Sequence, residues 1–111
     1  EKGINDLEYD LAKLFGSGFV RLHGCMWGDF EPEKGKFNWF ADPLVDRAVA
    51  DKLGILFSIC GTARWASSHP DDVRMQYGWL PMYSTFAPPK MQDWQDFLTA
   101  FVHHYRDRVN M

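Results

Sequence analysis

No stretch of this sequence approaches the roughly 18 consecutive apolar residues that a membrane span needs, so no spanning segment is expected. Excess positive charge is also missing. Twelve Lys and Arg against 15 Asp and Glu give a net charge of −3 and a pI near 5.7. That balance lacks the basic footprint of a nucleic-acid binder. No P-loop and no G-x-G-x-x-G occurs, which removes the nucleotide signal, and no cofactor is expected. Cysteine is scarce: Cys25 and Cys60 are too few for a disulfide framework. They leave the compartment open, a secreted or periplasmic one being favoured. There is no signal-peptide pattern, and the sequence opens on Glu1, so it reads as processed, trimmed or partly observed.

What is present in quantity is aromatic surface. Phe, Trp and Tyr make up 16% of 111 residues, with Trp27, Trp39, Trp65, Trp79 and Trp94 among them. Aromatic rings fill cores, and they also offer flat apolar faces on which sugar rings stack.

Periodicity gives the order helix, strand, helix, strand, helix. Leu7, Leu11, Leu14 and Phe15 fall at helical spacing between Asn5 and Phe15, with Gly16 and Gly18 as the stop. Phe19–His23 reads as a strand bounded by Gly18 and Gly24. Asp42 is placed to cap a second helix with Pro43 at its first position. Leu44, Val45, Ala48 and Val49 form its buried stripe, and Gly54 ends it. Ile55–Cys60 is a nearly continuous apolar strand, as expected where both faces are covered. Trp94, Phe97, Leu98, Phe101, Val102 and Tyr105 keep a 3.6-residue period through a last helix from about 93 to 108. Its C-terminal His103, His104, Arg106 and Arg108 suit the helix dipole and read as a solvated end.

Strands alternating with helices imply parallel pairing through right-handed crossovers. The helix-to-strand links are tight, whereas the strand-to-helix links, 25–41 and 61–92, are long. Loops above about 12–15 residues are uncommon without a function. Both lie beyond the C-terminal ends of the strands, where α/β barrels and open sheets bind ligands.

These segments carry a resemblance. Val20-Arg21-Leu22-His23-Gly24, then Trp27, then Glu31-Pro32-Glu33-Lys34-Gly35-Lys36-Phe37-Asn38-Trp39, then Asp42 resembles the clan A glycoside hydrolases. That group shows a strand with Arg, a Trp, an E-P-x-x-G-x-F-x-W turn and an Asp-capped helix. Gly54 to Ile59 followed by Thr62-Ala63-Arg64-Trp65-Ala66-Ser67 resembles its third strand and T-P-x-W-A segment, with Ala63 departing from the usual Pro. The helix from Trp94 to Val109 resembles the one before strand four. Arg21-Leu22-His23-Gly24 is most similar to family 39 and its relatives. Nearly the whole chain is covered, apart from about 69–89.

The resemblance implies a retaining glycosidase on a (β/α)₈ TIM barrel, with residues 1–111 as an N-terminal fragment holding about strands 2–3 and their flanking helices. Such an enzyme uses two carboxylates about 5–5.5 Å apart. In clan A they lie at the ends of strands four and seven, so both are expected outside this chain. The chain alone is then inactive and needs the remaining barrel strands from the same or another chain. None of the 15 acidic residues sits at a strand end; Glu31 and Glu33 lie in a turn, where carboxylates are usually solvated or cap something.

Four residues are candidates for binding a carbohydrate substrate: Arg21, His23, Trp27 and Trp65. By the resemblance Arg21 holds the nucleophile's carboxylate and favours its ionised form; the alternative is a structural ion pair, since an unpaired buried cation is costly. His23, two residues on, shares its face and bonds either sugar hydroxyls or the scaffold. Trp27 and Trp65 follow their strands as stacking surfaces, while Trp39 and Trp94 are assigned to packing. His23, Cys25, Cys60 and His69 would suit zinc, but no pair has ligand spacing, and no metal is assigned. Two other classes stand beside the hydrolase: a carbohydrate-binding relative that has lost catalysis, and a non-sugar α/β protein whose aromatics are all buried.

Overall fold

The computed structural model describes residues 4–72, 76–77, 80–81 and 87–108. Their order is α1 (Ile4–Leu14), β1 (Phe19–Met26), α2 (Trp27–Phe30), α3 (Asp42–Ala50), β2 (Gly54–Cys60), a 3₁₀ turn (Arg64–Ala66), β3 (Gln76–Tyr77), β4 (Leu80–Pro81) and α4 (Met91–Tyr105). β1 and β2 pair in parallel, with Phe19 opposite Gly54 and Leu22 opposite Phe57. β3 and β4 form a short antiparallel ribbon within the stretch that had no assignment. The chain is thus mixed α/β, with the expected parallel pairing.

β1 runs three residues further than its sequence suggests. Gly24 was expected to end it, but φ of +71° and a register shift between Leu22 and Cys25 make it part of a bulge inside the strand. Arg21 therefore sits near the start of an eight-residue strand and not at its C-terminal end. The helix before β2 is ended by Lys52, whose φ is +57°, not by Gly54, which is the first residue of β2.

Alternation along β1 sorts the sheet into two faces. Leu22 is buried and Val20 half-buried on the helix side, where Ile55 and Phe57 also point. Phe57 meets Phe101 edge-on at 5.0 Å and Tyr105 at 4.9 Å. On the other face Phe19 is 61% exposed, Leu56 59% exposed, and Arg21 and Cys60 lie open. The apolar run of β2 predicted cover on both faces; among the described residues only one is covered.

α1 also differs from its pattern. Leu7, Leu11, Leu14 and Phe15 are all exposed, and among the described side chains of α1 Tyr9 is the buried one. Tyr9 donates to the Leu44 carbonyl at 2.8 Å and lies under the Arg47 guanidinium. Arg47 in turn bonds Asp6 at 2.6 Å and Asp10 at 2.7 Å. A polar and aromatic seam, not the leucine stripe, docks α1 on α3. In α3, Val45 and Ala48 are buried as expected and Leu44 partly so, while Val49 is exposed.

α4 packs through Phe97, Phe101 and Tyr105 and is tied to α3 by charge. His104 Nε2 lies 2.9 Å from the Asp42 carboxylate, and Arg108 reaches Asp42 at 3.2 Å and Asp46 at 2.6 Å. The His104 ring also stacks on Trp39 at 4.0 Å. His104 is therefore a half-buried link between helices, not part of a solvated end. Asp42 is the first residue of α3 and its side chain caps nothing; Ala41 occupies the cap position.

Burial works against the charge of Asp42, but the His104 contact, the nearby Tyr105 hydroxyl and the charges of His104 and Arg108 outweigh it. They hold its carboxyl below the ordinary value of 3.8. The Tyr105 hydroxyl is buried without a hydrogen bond of its own, so it acts on Asp42 through proximity. A carboxyl depressed on folding adds stability that is present above its unfolded value and fades as pH falls through the folded one. Asp42→Asn should thus melt lower than wild type at neutral pH, with the gap closing below pH 3.8. Thermal melts from about pH 7 to about pH 2.5 check this; a gap constant across that range would refute it.

Candidate functional site

Trp27 follows β1 directly, and its indole is completely buried. Trp65 and Trp94 meet it edge-on at 5.5 Å and 5.2 Å, and Phe97 lies tilted against it at 5.3 Å. An aromatic side chain removes about 150–250 Å² from water, a gross gain of about 4–6 kcal/mol at about 25 cal/mol per Å². This apolar term gathers the rings, but the indole N–H goes with them and needs an acceptor. Glu31, itself 4% exposed, supplies it: Trp27 Nε1 donates to Glu31 Oε2 at 2.8 Å.

Glu31 makes three further hydrogen bonds, two as acceptor and one as donor. Its other carboxylate oxygen accepts from the Gly35 N–H at 2.8 Å, closing the turn in which Gly35 takes φ of +78°. Its own N–H donates to the Trp27 carbonyl at 2.9 Å. Its carbonyl accepts from Trp65 Nε1 at 2.7 Å. That last bond joins the segment after β1 to the segment after β2. Both lie at the C-terminal ends of parallel strands, and Ala63 packs beside Gly28 at the same junction.

The rest of the turn faces α4. Phe37 and Trp39 stack in parallel at 4.9 Å, Trp39 continues onto His104, and Lys34 bonds Asp93 at 2.5 Å. Glu33 pairs with Lys36 within the turn. Glu31 is thus the cap that a turn carboxylate was expected to be.

The four sequence candidates separate. Trp27 has no open face for a ligand ring, because Trp65, Trp94 and Phe97 cover it; the stacking expectation is corrected to a packing role. Trp65 is half-buried, with its N–H committed to Glu31. Arg21 lies exposed on the uncovered sheet face opposite Leu56, and no described acidic side chain pairs with it. The structural ion pair was argued from burial, and that burial is absent. His23 lies on β1, but its side chain falls outside the described residues, as do Trp79 and Val109. Arg21 and Trp65 are not brought into contact.

Cys25 and Cys60 are both free thiols. Burial, with smaller contributions from Cys60 and Asp29, pushes the Cys25 thiol up to about 11, so it is no nucleophile at neutral pH. Cys60 Sγ rests 3.3 Å from Met26 Sδ, and His69 bonds Ser68. No group of three or more metal-ligating side chains exists among the described residues.

The sequence reading missed the reach of Glu31. Its signal was available in Trp27 at i−4 and Gly35 at i+4, one a side-chain donor and the other a free N–H at the turn's tight position. Set against protein-family profiles, curated proteins and solved structures, the chain matches none of them.

Glu31→Ala leaves the Trp27 indole and the Gly35 amide without acceptors. The Trp27 donor is fully buried and costs about 1–3 kcal/mol when unsatisfied, whereas the exposed Gly35 amide can turn to water, so the variant should lose at least about 1 kcal/mol. Glu31→Gln, keeping one acceptor, should lose less. Urea denaturation measures both, and a loss in Glu31→Ala under about 0.5 kcal/mol would contradict the assigned role.

Proposed function

We propose that this chain is part of a retaining glycoside hydrolase and forms one wall of its sugar cleft. The observation that supports this most is the hydrogen bond from Trp65 to the Glu31 carbonyl. It draws two long segments together on the rim of parallel strands, the side on which α/β enzymes build their sites. The resemblance of those same segments to clan A supplies the substrate class.

On this reading the rest of a TIM barrel covers the open sheet face, burying Phe19 and Leu56. Arg21 then points into the barrel, and a carboxylate from another strand takes up its charge. That arrangement would hold the nucleophile ionised while a second carboxyl, also from another strand, protonates the leaving oxygen. Glu31 has no part in acid–base chemistry, being buried with both oxygens occupied.

Arg21→Ala in the full-length parent should cut turnover of aryl glycosides at least about tenfold, or about 1.4 kcal/mol in the barrier. The variant should still fold, as checked by its far-UV circular dichroism, although the carboxylate left without its cation lowers the melting temperature. Near-normal turnover would remove Arg21 from the site. A parent that retains polysaccharide but hydrolyses nothing would be the non-catalytic relative instead.

A further inference from the structure

A shallow cleft of about 410 Å³ opens beside α2, lined by Gly28, Asp29, Pro32, Asn38 and Phe40. It belongs neither to the Glu31 hub nor to the open sheet face. Local structure explains why these residues converge. The Asn38 N–H donates to the Phe30 carbonyl at 2.7 Å, which brings the returning limb of the turn back against α2. Phe40 then stacks on Phe30 at 4.4 Å with 28° between the rings. Phe30 covers one face of Phe40, and the residue as a whole remains 42% exposed.

Two polar groups flank that ring. Asp29 and Asn38 are both exposed, and neither side chain bonds to any described residue. A carboxylate offers acceptors only, while a carboxamide offers both acceptors and donors. An apolar ring beside that pair matches a pyranose, which has an apolar C–H face and hydroxyls that both donate and accept. The volume is within the roughly 300–1,000 Å³ of small-molecule sites. A cationic side chain would use Asp29 and the face of Phe40 but leave the Asn38 donors without a partner.

We infer that the Asp29–Asn38–Phe40 cleft is a secondary carbohydrate subsite that takes one pyranose ring by stacking on Phe40. The inference rests on the carbohydrate reading for its ligand class, yet it concerns binding away from Arg21 and requires no hydrolysis. Being shallow and open, the cleft should bind weakly and contribute grip on a longer glycan.

The test is calorimetric titration and saturation-transfer NMR of the full chain with cellobiose, xylobiose and mannobiose, and with a lysine dipeptide as the cationic probe. At least one disaccharide should bind. Phe40→Ala should weaken that binding at least about fivefold and Asp29→Ala at least about threefold. Asp29 has no described hydrogen-bond partner, so its variant reports even if loss of the Phe30 stack unfolds Phe40→Ala. Failure of all three disaccharides, binding of the lysine dipeptide alone, or affinity indifferent to Asp29 and Phe40 would each overturn the subsite. Hydrolysis by the parent with an inert cleft would overturn the subsite and leave the glycosidase proposal standing. Disaccharide binding that needs Phe40, in a parent that hydrolyses nothing, would do the reverse.

Discussion

The described structure depends on a buried carboxylate and the donors it collects. Glu31 accepts from the Trp27 indole and the Gly35 amide, and its carbonyl accepts from the Trp65 indole. The apolar gain from burying Trp27 and partly burying Trp65 and Trp94 is several times larger than any one of these bonds. It is non-directional, however, and would be satisfied by many arrangements of the rings. The hydrogen bonds select one, because each indole N–H taken from water must find its acceptor. Glu31 thereby converts a hydrophobic cluster into a fixed junction between the segments after β1 and β2.

From that junction the constraint spreads in two directions. Along the turn, Phe37 and Trp39 stack toward His104, and His104 engages Asp42, so the rim is coupled to the α3–α4 seam. Along the strands, Trp27 begins where β1 ends, which fixes the height at which the sheet meets its loops. The opposite sheet face is left out of this network. Phe19 and Leu56 are open there with Arg21 between apolar neighbours, a combination that suits a surface awaiting further cover. The rigid rim and the uncovered face are complementary parts of the proposed barrel wall.

Much of the architecture was legible. The amphipathic period of α4, the apolar run of β2 and the order of elements together imply parallel pairing. Errors came where tertiary contacts override local signals. Gly24 looks like a terminator in sequence, but a neighbouring strand turns it into a bulge. The stripe Leu7, Leu11, Leu14, Phe15 has a helix's period without its burial, because Tyr9 and Arg47 supply the docking contacts instead. His104 reads as a helix-end cation because its partner, Asp42, lies 62 positions away in sequence. Trp27 reads as a binding face for the same reason: its covering rings come from two distant segments, the 3₁₀ turn and α4. Position after a strand identifies the rim, but it does not tell a ring that lines a cleft from one that anchors it.

Hydrogen exchange at the tryptophan indoles tests the central claim directly, since it reads the Glu31 junction without disturbing it. In the full chain, the Trp27 and Trp65 Nε1 protons should exchange at least about a hundredfold more slowly than a free indole, with Trp27 slower because it is fully buried. Exchange of both at the free rate, while the β1 and β2 amides stay protected, would show that the two segments are not held together and would contradict the account.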